Sequence, residues 1–268
     1  LDCGSKDEYA IFDEQFEEEL EWVKETIAAK KPDVVILPEM CYKEDMYSYF
    51  KELSKKALVV AGSKYNDGIN QTAVFYKGEL HLIPKCNASG AEPMVRTIKE
   101  CSKVDFMSRR LAERTFEVKG KNFVVLNCME YYQNAYYIAR EVEDFFGFIC
   151  ICSNNNPKVF LEESRAIHNH RENVYTFMVN CVSTYKGEDY GKGESYVFGP
   201  IQGHEKEWLL KEGITFDDHC SSILKLGREA SYFYGEFTNC FSRFGRSDEY
   251  RNNPRDVEVK NLRKKENK

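Results

Sequence analysis

No apolar run in the 268-residue chain approaches the roughly 18 residues of a bilayer-spanning helix; Phe145 to Cys152 is among the longest. The start, Leu1-Asp2-Cys3-Gly4, has no basic stretch followed by an apolar one, so the sequence shows no secretory signal. Leu1 is not a methionine, which leaves open a processed product or a domain cut from a longer polypeptide. An excess of positive charge is also missing: the net charge is −6 and the pI about 5.6. Binding to phosphate backbones needs clustered Lys and Arg, so nucleic acid is not an expected partner. The basic tail of Arg255, Lys260, Arg263, Lys264, Lys265 and Lys268 is the exception, and it reads as a solvated terminus. Although there are ten cysteines, no Cys-x-x-Cys pair occurs. Cys128, Cys150 and Cys152 lie in apolar runs, where a reduced cysteine behaves as a small core residue. The expectation is a cytoplasmic protein with no structural metal and no membrane partner.

What is present suffices for a sizeable core, since 42% of the residues are hydrophobic. In residues 13 to 30, Phe16, Leu20, Val23 and Ile27 recur at helical spacing, and Lys30-Lys31-Pro32 supplies a stop. Asp33 to Leu37 reads as a buried strand, Asp45 to Lys56 as a helix, and Ala57 to Gly62 as a strand. Asn66-Asp67-Gly68 is a turn, and Gln71 to Tyr76 with Glu79 to Ile83 form a hairpin about Lys77-Gly78. Further strands are predicted at 123–127, 145–152, 176–183, 194–198 and 221–226, with helices at 133–144 and 162–175. Alternation of this kind argues for α/β layers. With no internal repeat and no low-complexity linker, residues 1–227 are expected to form one domain. Residues 228–268 then make a C-terminal extension, partly irregular, that ends in the basic tail.

Three motifs carry chemistry: Ile36-Leu37-Pro38-Glu39, Ile83-Pro84-Lys85, and Val125-Leu126-Asn127-Cys128-Met129-Glu130. Each sets a reactive side chain at or just past the end of an apolar run, where α/β proteins build sites. A lone Glu or Lys at such a place is ordinarily solvated, and a lone Cys ordinarily packs. Convergence is what would change their meaning. A thiol needs a base to become a nucleophile, and the oxyanion it creates needs a cation or donors.

Glu, Lys and Cys in this chain order resemble the triad of the nitrilase superfamily of carbon–nitrogen hydrolases. The likeness extends to Leu58-Val59-Val60-Ala61-Gly62-Ser63, Asn70 to Phe75 and Gly78-Glu79-Leu80 ahead of the lysine. It continues through Cys152 to Pro157, which sits where the family has a substrate-pocket loop, and Arg171 to Tyr175. It ends with Gly193 to Pro200, so that it spans roughly residues 13 to 226 in consistent order. The resemblance implies an α-β-β-α sandwich with two mixed sheets, a homodimer, and no cofactor or metal. It also implies an amidase-type hydrolase acting on a small amide, carbamoyl compound or nitrile. Catalysis would fall to Glu39 as base, Cys128 as nucleophile and Lys85 as oxyanion donor, with the Met129 N–H as a second donor. Glu130, two past the nucleophile, Glu92, seven past the lysine, and Asn154 in the pocket loop are the accompanying oxyanion or substrate-binding candidates.

Departures leave the substrate open. Met-Glu-Tyr-Tyr-Gln-Asn follows Cys128 where many members have Arg-Phe-Pro-Glu, and residues 86–115 have little family likeness. Two alternatives use the same features. One is acyl or amine transfer through the same acyl-enzyme. The other is a nitrilase-like module of a larger protein, ligand-sensing or defence-associated, of the kind linked to some bacterial reverse transcriptases. Elsewhere the residues read as structure. His168 and His170, two apart on a helix, make a poor metal pair, and Gly187 to Gly193 is one residue short of a phosphate loop.

Overall fold

A computed structural model of the chain describes residues 2–3, 10–11, 14–87, 89, 101–143, 145–154, 156–171, 174–185, 188–199, 215–217, 220–225, 231–236 and 255–261. In chain order the elements begin with β1 (Asp2–Cys3), β2 (Ala10–Ile11), α1 (Glu14–Lys30) and β3 (Val34–Ile36). They continue with α2 (Tyr47–Leu53), β4 (Leu58–Asn66), β5 (Ile69–Tyr76) and β6 (Glu79–Pro84). Next come α3 (Lys103–Asp105), β7 (Thr115–Val118), β8 (Lys121–Asn127), α4 (Met129–Glu141), β9 (Gly147–Cys152) and α5 (Lys158–His170). The late strands are β10 (Tyr175–Asn180), β11 (Val182–Tyr185), β12 (Glu188–Lys192), β13 (Tyr196–Phe198), β14 (Thr215–Asp217), β15 (Cys220–Lys225), β16 (Ser231–Glu236) and β17 (Arg255–Asn261).

Two mixed sheets organise them. One has the order β3-β4-β5-β6, the other β14-β15-β13-β10-β9-β8-β7. In the first, β3 runs parallel to β4, and β4, β5 and β6 are antiparallel. In the second, β8, β9 and β10 are parallel and the outer strands antiparallel.

Side-chain alternation sorts each strand between two cores. Leu58, Val60 and Val74 of the first sheet meet Phe123, Val125, Ile149, Ile151 and Tyr175 of the second. The intervening Val59, Ala61, Ala73 and Phe75 turn the other way, onto Leu20 and Ile27 of α1 and Phe50 of α2. Val124, Leu126, Phe148, Cys150 and Met178 likewise pack on Tyr131, Ala135 and Ile138 of α4 and on Phe160 and Ile167 of α5. The layers are therefore α-β-β-α, as the sequence led us to expect. Burial on both faces explains why the strands read as continuous apolar runs rather than as alternating ones.

Several elements differ from the sequence reading. The helix expected at 45–56 is a 3-10 turn at Glu44–Met46 followed by α2. Helix α4 starts at Met129 rather than 133, because the chain reverses at Cys128 directly off β8. α5 runs 158–170 rather than 162–175, and Tyr175 opens β10, where Gly147 of β9 can lie against it: a Cβ there would come within 2.6 Å of Tyr175 O. Strand β7 was not foreseen; it pairs with β8 across Lys119-Gly120, both at positive φ. Short strands precede α1, and β1 lies parallel to β11 in a four-stranded sheet of order β12-β11-β1-β2. Within the extension read as partly irregular, β16 and β17 form an antiparallel ribbon that includes Arg255 and Lys260 of the basic tail. No helix among the described residues is long and apolar enough to cross a membrane.

Candidate active site

Glu39 is placed by a bulge in the neighbouring strand. The β4–β5 register shifts between Val60 and Ser63, and within the bulge Gly62 holds φ at 93°. Leu37 N donates to Val60 O at 2.8 Å, Met40 N to Ser63 Oγ at 3.1 Å and Tyr42 N to Ser63 O at 3.4 Å. A Cβ at position 62 would stand 2.4 Å from Pro38 O. Only glycine lets the loop after β3 lie this close while keeping that dihedral. Met40, at φ 68°, completes the turn that sends the Glu39 side chain into the protein.

Three donors meet the Glu39 carboxylate. Asn70 Nδ2 and Lys85 Nζ reach Oε1 at 2.8 and 3.1 Å, and the Ser153 N–H reaches Oε2 at 2.8 Å. They come from β5, the end of β6 and the loop after β9, so this carboxylate joins the ends of both sheets. Asn70 holds both members of the ion pair, because its carbonyl also accepts the Lys85 N–H at 2.8 Å. Glu39 and Lys85 are both almost wholly buried, their side chains 5% and 2% exposed. Charges out of water need both partners and extra hydrogen bonds, and here both are supplied.

Cys128 follows β8 and precedes α4. Its φ of 47° and ψ of −107° lie in a region that non-glycine residues rarely occupy. The turn is held by Cys128 N donating to Ile151 O at 2.8 Å and Tyr131 N donating to Cys128 O at 3.0 Å. The first turn of a 13-residue helix thus starts at the thiol-bearing residue, and its amides and dipole favour negative charge there.

Glu39 and Lys85 touch directly, and Cys128 stands at the adjoining strand ends. Asn127, beside it, donates through Nδ2 to Thr72 Oγ1 at 3.1 Å and to Asn70 Oδ1 at 3.5 Å. Ile151, which binds the Cys128 amide, is two residues before Ser153, which binds Glu39. Burial first, then Cys150 and, after it, Cys128 and Glu39 push the neighbouring Cys152 thiol well above the usual thiol range.

The remaining candidates fall in different places. Met129 is the first residue of α4. The Glu130 carboxylate is engaged by protein groups: Oε1 accepts from Cys86 N at 2.7 Å and Arg114 Nη2 at 2.8 Å, and Oε2 from Asn127 N at 3.0 Å. Asn154 is held by Asn180, whose Oδ1 accepts the Asn154 N–H and whose Nδ2 donates to Asn154 O, at 2.8 and 2.9 Å. Glu92 lies outside the described residues. No group of three or more His, Cys, Asp and Glu among the described residues is arranged to hold a metal.

Sequence reasoning missed Asn70, Asn127, Arg114 and the Ser153 amide. A signal existed for the first two: both are polar residues at strand positions that face the inter-sheet core. A backbone N–H carries no signal, and nothing marks Arg114 as buried.

No family model matches the sequence, and no curated protein sequence matches it. Among solved structures, the chain is similar to Saccharomyces cerevisiae Nit3, a member of branch 10 of the nitrilase superfamily. The two are 17% identical over 69% of this chain and 76% of that one, with a TM-score of 0.47. A carbon–nitrogen hydrolase from Helicobacter pylori is 14% identical over 72% and 80%, TM-score 0.48. A mutant of the amidase from Nesterenkonia sp. AN1, whose active-site cysteine carries a Michael adduct of acrylamide, is 11% identical over 72% and 83%, TM-score 0.49. Overlaps of this size assign no activity to this chain.

Proposed function

We propose that this chain is a thiol-dependent carbon–nitrogen hydrolase of amidase type, acting on a small amide, carbamoyl compound or nitrile. One observation carries the reading: the buried Glu39–Lys85 pair, 3.1 Å apart at the ends of β3 and β6, is linked through Asn70 and Asn127 to the end of β8, where a cysteine sits on a positive-φ turn at a helix N-terminus. Apolar residues of similar volume would serve stability as well as a buried ion pair does. Paired charges beside a nucleophile point to chemistry.

In this mechanism Glu39 takes the Cys128 proton and Sγ attacks the carbonyl carbon of an amide. The carbonyl electron pair moves to oxygen, where Lys85 Nζ and the Met129 N–H hold the oxyanion. Collapse breaks the C–N bond, and the departing nitrogen takes the proton from Glu39 and leaves as ammonia or an amine. A thioester remains on Cys128. Water then attacks it, giving a proton to Glu39. The second collapse expels the thiolate, which recovers that proton, and a carboxylic acid is released. Two moderate barriers replace one high one.

The test is ammonia release from a panel of glutamine-like, aliphatic, carbamoyl and nitrile compounds, comparing wild type with Cys128→Ala. Release by wild type that vanishes in the variant supports the reading and identifies the substrate class. Release that persists in Cys128→Ala, or silence from a folded wild type across the panel, counts against it.

A further inference from the structure

Behind the site lies a second buried ion pair, and its bonds end on the main chain around the first. Glu130, in the first turn of α4, accepts the N–H of Cys86, one residue past Lys85, and the N–H of Asn127, one residue before Cys128. Arg114 Nη2 donates to Glu130 Oε1 at 2.8 Å, to the carbonyl of Pro84, one residue before Lys85, at 2.7 Å, and to Cys86 Sγ at 3.2 Å. Its Nη1 donates to Arg110 O at 3.0 Å, and its guanidinium lies 5.1 Å from the Phe106 ring centroid. Both flanks of Lys85 and the near flank of Cys128 are thus tied to one carboxylate–guanidinium unit. The Asn127 bond is one that a carboxylate in a helix's first turn makes locally, but the bonds to Cys86 N–H and Pro84 O bracket Lys85 on the other sheet. Its charges are paired, so it holds the strand ends without adding a net charge there.

We propose that Glu130 and Arg114 are positioning residues that fix the spacing between the Lys85 ammonium and the Cys128 thiol. The proposal rests on the function proposed above, and it gives Glu130 a role without substrate contact. Carboxylate chemistry is required: in Glu130→Gln the amide NH2 must face either the Asn127 N–H or the Cys86 and Arg114 donors, so one link breaks. A guanidinium is required as well, because a single ammonium cannot reproduce the two nitrogens by which Nη2 reaches Pro84 O and Glu130 while Nη1 reaches Arg110 O.

The test uses the double variant Arg114→Met/Glu130→Leu, which replaces the pair by apolar volume, alongside Glu130→Gln. The readouts are the urea midpoint, kcat and KM separately, and the pH profile of Cys128 alkylation by iodoacetamide. The expected result is a double variant that folds with a lowered urea midpoint, because the Cys86 and Asn127 N–H groups and Pro84 O lose their partners, and whose kcat per folded molecule is lower by about 100-fold, with KM little changed and the alkylation profile displaced. If the double variant does not fold, Glu130→Gln carries the same expectations for kcat and alkylation per folded molecule. Either variant keeping the wild-type kcat and profile while folded overturns the proposal. A wild-type Cys128 that alkylates no faster than the other thiols overturns the proposed function and this proposal with it. A fast wild-type thiol left undisturbed by the variants overturns this proposal alone.

Discussion

The protein buries two carboxylate–cation pairs near one another in the chain's topology, and they are built differently. Glu39 pairs with a lysine and takes its other hydrogen bonds from Asn70 and the Ser153 amide. Glu130 pairs with an arginine and takes its others from the Cys86 and Asn127 amides. Lysine is a compact ammonium with rotatable donors, able to shift from a carboxylate to a developing oxyanion. Arginine is a planar fork, and both terminal nitrogens of Arg114 are committed to fixed acceptors. The lysine pair has the form that the proposed chemistry requires and the arginine pair the form that the proposed alignment requires. Two equally buried pairs can therefore have separate tasks, legible in which cation was chosen and where its remaining hydrogen bonds go.

The sharpest break in this comparison is Lys85→Met. It strands a buried carboxylate and removes the cation proposed to hold the oxyanion. Loss of about 10³-fold in kcat/KM is expected, with destabilisation of about 3–5 kcal/mol, read from steady-state kinetics and urea unfolding. Arg114→Met strands Glu130 and is expected to cost about the same stability. Its activity per folded molecule should fall less, by about 100-fold, because geometry is disturbed while every reacting group remains. Equal activity losses in the two variants would erase the distinction between the pairs.

Gly62→Ala comes next. It forces a Cβ against Pro38 O and a residue with a side chain into φ 93°, for about 1–3 kcal/mol of strain. The Glu39 loop should move, so kcat should fall along with the thermal midpoint, while a surface substitution of equal stability cost leaves kcat alone.

Protonation provides a gentler probe. Burial pushes the Cys86 thiol up to about 12 and the Cys41 and Cys152 thiols well above their usual range. Folded protein keeps these protons while unfolded chain releases them above about pH 8.5. Their contribution to stability is thus fully present below that pH and declines as pH rises from there through the raised folded values. Urea midpoints measured from pH 7 to 11 should fall, and a flat profile would contradict the burial of these thiols. The smallest effect belongs to the exposed Lys55–Glu52 pair: Lys55→Ala should change stability by no more than about 0.5 kcal/mol, because solvent screens both charges.

The layers were legible in the sequence because burial on two faces leaves a mark. Leu58-Val59-Val60-Ala61 is apolar throughout, and each residue of it enters one core or the other. Helix α1 was legible from its Phe16, Leu20, Val23 and Ile27 stripe. Strand β7 was not, since Thr115-Phe116-Glu117-Val118 is short and half exposed, and its pairing with β8 is its main support. The Glu39, Lys85 and Cys128 motifs stood out because each ends an apolar run. Glu130 stood out for its place after the cysteine, and the Asn127 N–H three residues back is a local partner, but its donors at positions 86 and 114 are distant in sequence and leave no local trace. Asn70 was part of a recognised hairpin, but its double hold on Glu39 and Lys85 exists only once the sheets are assembled.

The most direct test of the central claim is site-resolved alkylation of the folded protein at pH 7.5, with the rate at each cysteine read by peptide mass spectrometry in wild type and Lys85→Met. The account predicts that Cys128 reacts far faster than Cys41, Cys86 and Cys152, and that this advantage disappears in the variant. Equal rates among the wild-type thiols, or a fast Cys128 indifferent to the loss of Lys85, would contradict it.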